Sequence, residues 1–184
     1  TWKSRGLGDV YKRQFMKITE IKTYVLVADN ADVSLTSSAQ DTILVEIYTD
    51  DGIIGYGETD TNPWVAKALI DSPGTHTMDQ SMKDILIGKD PLDISKRWEE
   101  LYIGTAMTGR RGAGVNAIGA IDMALWDIKG KYEGKPVYEL MGGNVHDTIT
   151  PYASLQPLGS SFEEYRDSLV CLLYTSDAAD EVQC

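Results

Sequence analysis

The stretch GVNAIGAIDMALWDIKGKYEGKP, Gly114 to Pro136, decides how this chain is organised. Ile118, Ile121, Leu125 and Ile128 recur at i, i+3, i+7 and i+10, which puts four apolar side chains on one helical face. Gly130 and Gly134 are expected to stop the helix, and Pro136 to start a short one that ends at Gly142-Gly143. Asp122 and Asp127 are separated by about 500° of helical rotation, so they share no tight face. They are expected to anchor neighbouring backbone or basic groups rather than to work as an acid–base pair.

Helical spacing continues upstream. In GKDPLDISKRWEELY, Asp90 can cap and Pro91 suits the first helical position, with Ile94, Trp98 and Leu101 forming an apolar stripe. NPWVAKALIDS offers Val65 and Leu69 at helical spacing. Before residue 60 the period becomes two. Met16–Val27 reads as a strand, and Asp41–Asp50 as a second with Ile43, Val45 and Ile47 on one face. Asp51-Gly52 marks a tight turn into a third, Ile53–Glu58. The polar segment Ala28–Gln40 between the first two strands has the length and composition of a functional lid. Strands followed by helices predict an α+β domain: a three-stranded antiparallel meander and then a helical bundle. Downstream, Thr148–Gln156 reads as a further strand. SSFEEYRDSLV opens with Ser and a Glu three residues on, the signature of a helix start. Together they resemble the first βα unit of another domain.

Bulk composition narrows the function classes. The 184 residues are 42% hydrophobic and 24% charged, enough for a sizeable core. A net charge of -11 opposes nucleic acid as a partner, since phosphate contacts need clustered Lys and Arg. No apolar run approaches a membrane span and no apolar stretch follows the basic N-terminal residues, so a soluble cytoplasmic protein is expected. Both cysteines, Cys171 and Cys184, fall at one end, where a disulfide would staple only a tail.

The two ends share a relation that protein physics does not require. One permitted coding of Asp9–Gln14 (DVYKRQ) has a complementary strand that translates, one nucleotide in, as Cys-Leu-Leu-Tyr-Thr-Ser, the residues at Cys171–Ser176. Residues 1–14 and 171–184 therefore read as translated sequencing-adapter sequence and are set aside from the fold. Their charges, +3 and -3, cancel. Residues 15–147 are then expected to form the α+β domain, and 148–170 to begin a second.

The residues alone display no active site. His76 and His146 are isolated and read as surface histidines. Asp50, Asp51, Glu58 and Asp60 lack a calcium-loop pattern and read as solvated carboxylates. GAGVNAIGA follows no strand and lacks dinucleotide-binding spacing. Arg110-Arg111, ahead of a helix start, suits an anion or a structural ion pair equally.

Four motifs in order carry a family likeness: GYGE at Gly55–Glu58, GKDP at Gly88–Pro91, RRGAGVNAIGAIDMALWDIKGKYEGKPVYELMGG at Arg110–Gly143, and PYAS at Pro151–Ser154. The chain resembles the amino-terminal part of mandelate racemase/muconate lactonising enzymes of the enolase superfamily, from Met16 to about Val170. The resemblance implies a capping domain followed by a (β/α) barrel, with residues 148–170 as the barrel's first strand and helix start, so the chain is expected to be a truncated gene fragment. In that family a Lys or His base removes the proton α to a carboxylate, and magnesium held by acidic residues on later barrel strands stabilises the enediolate. No catalytic residue or metal ligand maps onto this chain, and catalytic inactivity is expected of it. Two capping loops shape the family's substrate pocket, by position Ala28–Gln40 and Thr59–Trp64. Asp60 and Asn62 are the substrate-binding candidates there, joined by Ser154 at the position that holds the substrate carboxylate.

Loops rich in Asp, Ser, Thr and Asn favour an acid-sugar substrate, hence a magnesium-dependent sugar-acid dehydratase. Racemase, cycloisomerase and dipeptide epimerase chemistry, or a free-standing α+β binding module, are the alternatives. The resemblance further implies that the parent forms a homo-oligomer, with no nucleic-acid or membrane partner.

Overall fold

The structure is a computed structural model that describes residues 16–34, 40–109, 111–143, 146, 148 and 161–173. Among them the element order is β1 (Ile18–Val27), β2 (Asp41–Thr49), β3 (Ile54–Thr59), α1 (Pro63–Asp71), α2 (Met82–Leu86), α3 (Ile94–Gly104), α4 (Ala106–Gly109), α5 (Ala113–Glu133), α6 (Val137–Leu140) and α7 (Phe162–Leu173). Three strands followed by helices are the α+β arrangement that the period change predicts. The chain divides into two compact units, one of residues up to Ala31 with Ser38–Met141, the other of Asp32–Ser37 with the residues from Gly142 onward.

In the first unit the strands form an antiparallel meander in the order β1-β2-β3. Its register sets Ile21 opposite Ile47 and Thr23 opposite Val45, with Val45 opposite Gly57 and Ile47 opposite Gly55. Alternation along β2 buries Ile43, Val45 and Ile47 completely. They meet Ile118, Ile121, Leu125 and Ile128 of α5, all within 1% of full burial, as the helical spacing predicts. Glycine is what lets α5 lie directly on β3. A Cβ on Gly57 would stand 1.9 Å from the Ala120 carbonyl oxygen, and one on Gly55 would stand 2.2 Å from that of Ala124. The GYGE motif is thus a strand whose inward positions have no side chain, facing a helix whose contact residues are alanines.

Both sheet edges are occupied by side chains and backbone of neighbouring elements. On β3, the Tyr56 amide donates to Asp127 Oδ2 (2.8 Å), while Lys131 Nζ donates to the Ile54 carbonyl and to Asp127 (both 2.7 Å). Asp127 therefore anchors backbone and a basic group, as its position on the helix suggested. On β1, Lys67 Nζ donates to the Thr23 carbonyl (3.0 Å), and Ile18 exchanges hydrogen bonds with Lys89 and Gly88. Such covered edges do not template further strand pairing.

Several boundaries differ from the sequence reading. α1 buries Pro63, Ala66 and Ile70, and leaves Val65 46% exposed, because the small Ala66 is the residue that lets the helix approach the sheet closely. α3 begins at Ile94 rather than Pro91: the Asp90 carboxylate accepts from the Leu92 amide (2.9 Å), closing a turn before the helix. Trp98 is not part of the buried stripe; it stacks on Tyr102 at 5.0 Å, and Arg97 is buried in its place with Glu100 as ion partner at 3.2 Å. Gly130 does not stop α5 and is buried within it, whereas Gly134 ends it in the left-handed conformation (φ 65°, ψ 33°). Two short helices, α2 and α4, escaped the sequence reading, although Ser81 capping Asp84 marks α2 (3.2 Å).

In the second unit, α7 opens as its capping signature predicts, with Ser161 Oγ accepting from the Glu164 amide (3.2 Å). Of the strand expected over Thr148–Gln156, only Thr148 is described.

Candidate functional site

One end of the sheet gathers the groups with binding potential. Val27 pairs with Asp41 there and Ile43 with Thr59, so the β1–β2 and β3–α1 connections leave from the same edge. The first connection is pinned at its base by the Ala28 amide donating to Gln40 (2.7 Å), the second by Thr42 Oγ1 donating to the Thr59 carbonyl (3.4 Å). α1 starts directly after Asn62. α5 runs antiparallel to β3, because Gly57 lies against Ala120 while Gly55 lies against Ala124 and Ile128. Its N-terminus therefore points to this same end. Two helix N-termini and two polar connections converge, an arrangement whose positive partial charges favour a carboxylate.

Asp60 and Asn62 are both placed in the β3–α1 connection, Asp60 exposed and Asn62 at the cap of α1. The Asn62 side chain also holds the fold together, since its Oδ1 caps α1 by accepting from the Val65 amide (3.1 Å). That leaves Nδ2 as the group able to donate to a ligand. Beside them Trp64, which sequence reasoning did not single out, is 58% exposed at the second position of α1. Its signal was visible in retrospect, a large aromatic just past a Pro helix start in a loop otherwise polar. Ser154 and Arg110 lie outside the described residues; Arg111, at the α5 start, is exposed and makes no ion pair with another described residue. In the second unit, Asp32 is held below the usual carboxylate range by the hydroxyl and amide of Ser34, at 2.7 and 2.9 Å.

The remaining candidates are placed away from any common centre. Asp50 accepts from the Lys17 amide (2.7 Å) and Glu58 from Thr42 Oγ1 (3.3 Å), so both are engaged turn or edge carboxylates. His76 Nδ1 accepts from the Met78 amide (3.2 Å) and His146 is exposed. Among the described residues no three His, Cys, Asp or Glu side chains come together in a way that holds a metal ion. The donor set that magnesium needs is therefore not built from them. Nor is any described helix long and apolar enough to cross a membrane.

The sequence profile for the N-terminal domain of mandelate racemase / muconate lactonizing enzyme matches residues 21–142. The chain belongs to this family. The matched span runs from the middle of β1 through α6, so the sheet, the glycine-mediated seat of α5 and the converging loops all lie within the family domain. Among relatives, a D-galactonate dehydratase family member of Streptomyces bingchenggensis is 40% identical over 135 residues, covering 71% of this chain and 30% of the relative. An L-rhamnonate dehydratase of Saccharopolyspora erythraea is 34% identical over 113 residues, covering 61% and 27%. A crystal structure of a protein assigned as a mandelate racemase from Bordetella bronchiseptica RB50, complexed with 2-oxoglutarate/phosphate, superposes with a TM-score of 0.70. It is 28% identical and covers 87% of this chain and 41% of that one. The chain thus spans about a third of the length of the curated relatives it matches.

Proposed function

We propose that this chain is the substrate-selecting capping domain of a sugar-acid dehydratase. The observation that carries the reading is the convergence of two polar connections and the N-termini of α1 and α5 at one sheet end, in a family domain whose relatives are named as dehydratases of galactonate and rhamnonate. A polyhydroxylated carboxylate needs two kinds of partner. The helix termini offer positive potential to its carboxylate, and Asp60, Asn62 Nδ2 and the backbone of the connections offer hydrogen bonds to its hydroxyls. In the reaction class, loss of the proton α to the carboxylate gives an enediolate, which expels the β-hydroxyl as water and tautomerises to a 2-keto-3-deoxy acid. This chain's residues contribute binding and orientation to that sequence, not the proton transfer.

Magnesium, the ion the family uses, would have its ligands outside the described residues, as would the base. The same holds for Ser154 at the carboxylate position. Residues 1–14 and 171–184 are proposed to derive from adapter DNA, which resequencing of the source locus tests directly. The functional test is kinetic. The gene extended beyond residue 170 is to be expressed and assayed with a panel of aldonic and aldaric acids for 2-keto acid formation. Turnover of a sugar acid, with Asp60→Ala and Asn62→Asp changing KM and substrate ranking, is the expected result. Turnover confined to aromatic or dipeptide substrates, or magnesium-dependent α-proton exchange by the 184-residue chain alone, would overturn the reading.

A further inference from the structure

The face of the sheet opposite the core carries an ordered block of charge and apolar surface. Glu46 lies opposite Tyr56, and Leu44 opposite Glu58, so two carboxylates occupy one diagonal of a four-residue block and a ring and an aliphatic chain the other. A groove of about 270 Å³ lies over it, floored by Leu26, Leu44 and Met123 and rimmed by Thr42, Tyr56 and Glu58. Leu26, Tyr56 and Met123 are 47%, 44% and 46% exposed. Metabolite sites are usually roomier, from about 300 Å³ upward. The space suits one side chain.

The electrostatics of the face are unbalanced. Glu46 accepts from the hydroxyls of Tyr24 (3.1 Å) and Tyr48 (2.6 Å), and Glu58 from that of Thr42 (3.3 Å). Neither carboxylate has an ion pair with another described residue. The nearby cations are already committed. Lys22 is paired with Glu20 (3.1 Å) and sits over the Tyr48 ring (4.6 Å). Lys131 is held by Asp127 and the Ile54 carbonyl, with the Tyr56 ring at 4.5 Å.

We propose that this groove docks a basic side chain, Arg or Lys flanked by apolar residues, presented by another polypeptide. The aliphatic stem lies on Leu26, Leu44 and Met123, and the cationic head sits between Glu58 and Glu46 beside the Tyr56 ring. Charge complementarity selects this occupant. A second copy meeting face to face would bring Glu46 and Glu58 against further acidic surface of a chain whose net charge is -11. The inference is independent of the dehydratase reading, since it concerns the opposite face from the core and none of the loops at the sheet end.

The test is an NMR titration of the ¹⁵N-labelled full chain with the blocked peptide Thr-Leu-Arg-Leu-Thr, and with the same peptide carrying Gln at its centre. Amide shifts are expected at Leu44, Tyr56, Glu58 and Met123, with binding about tenfold weaker for the Gln peptide. Glu58→Gln and Glu46→Gln should each weaken the Arg peptide several-fold and leave the Gln peptide unchanged, with unaltered dispersion elsewhere in the spectrum confirming the fold. Equal binding of the two peptides, or no shift with either, would sink the proposal. So would concentration-dependent shifts of this face in the chain alone, which would assign it to a second copy.

Discussion

Replacing Gly57 with Ala should unfold the domain more effectively than any single truncation on its surface. A Cβ at that position falls 1.9 Å from the Ala120 carbonyl oxygen and 2.9 Å from the Ala124 amide nitrogen, both backbone atoms in the interior of a 21-residue helix. It stands about 1.5 Å short of ordinary contact, a gap that no rotamer change relieves. Overpacking alone costs about 1–3 kcal/mol. Moving β3 off α5 also stretches the Tyr56–Asp127 and Ile54–Lys131 hydrogen bonds, which involve charged groups and are worth about 1.5–3 kcal/mol each when fully made. Partial loss of both brings the expected destabilisation to about 3–5 kcal/mol, a large share of the roughly 5–15 kcal/mol of a typical domain. Urea denaturation followed by circular dichroism measures it. Gly119→Ala is the internal control: it lies in the same helix with nothing within 4 Å of its missing Cβ. It should stabilise by up to about 1 kcal/mol through helix propensity. A Gly57→Ala midpoint equal to wild type would refute the close-approach account of the GYGE motif, and the opposite signs of the two substitutions exclude a generic glycine effect.

Further outcomes follow from the same geometry. Burial raises the Asp71 pKa, but hydrogen bonds from Lys67, Lys83 and Thr23 outweigh it and hold the carboxyl below its ordinary value. Its stabilisation is therefore present above the unfolded carboxylate pKa of about 4 and is lost as pH falls through the lower folded value. Asp71→Asn should flatten the acid limb of a stability–pH curve and lower the neutral plateau. Asp122 shows the opposite sign: burial raises its pKa against a weaker hydrogen bond from Trp126, so the folded state disfavours its ionisation. Asp122→Asn should stabilise at neutral pH and do nothing well below a pH of about 4, as read by thermal melts across pH. Asn62→Ala should lose about 1 kcal/mol of helix capping while Asn62→Asp retains it, so any effect of the Asp variant on substrate ranking in the extended protein reports binding rather than folding.

What the sequence disclosed was whatever a single periodicity could encode. β2 shows the clearest case, because Ile43, Val45 and Ile47 alternate with partners that stay half-buried, and α5 shows it again at a period of about 3.6. Where two apolar stripes competed, pattern did not decide. In α1, Val65 and Leu69 have large apolar side chains, yet Ala66 and Ile70 face inward, because distance of approach and not hydrophobicity chooses the face. In α3 a buried Arg97 with its Glu100 partner replaces Trp98, an ion pair whose compensation is invisible until both side chains are placed. The candidate site was legible only as a pair of polar connections. Their meeting with the N-termini of α1 and α5 depends on α5 running back along β3, and that direction is fixed by Gly55 and Gly57, residues with no side chain for a hydrophobic pattern to register. The glycines that pattern analysis treats as punctuation are, in this chain, what seats the long helix and brings its positive end to the edge where the polar connections leave the sheet.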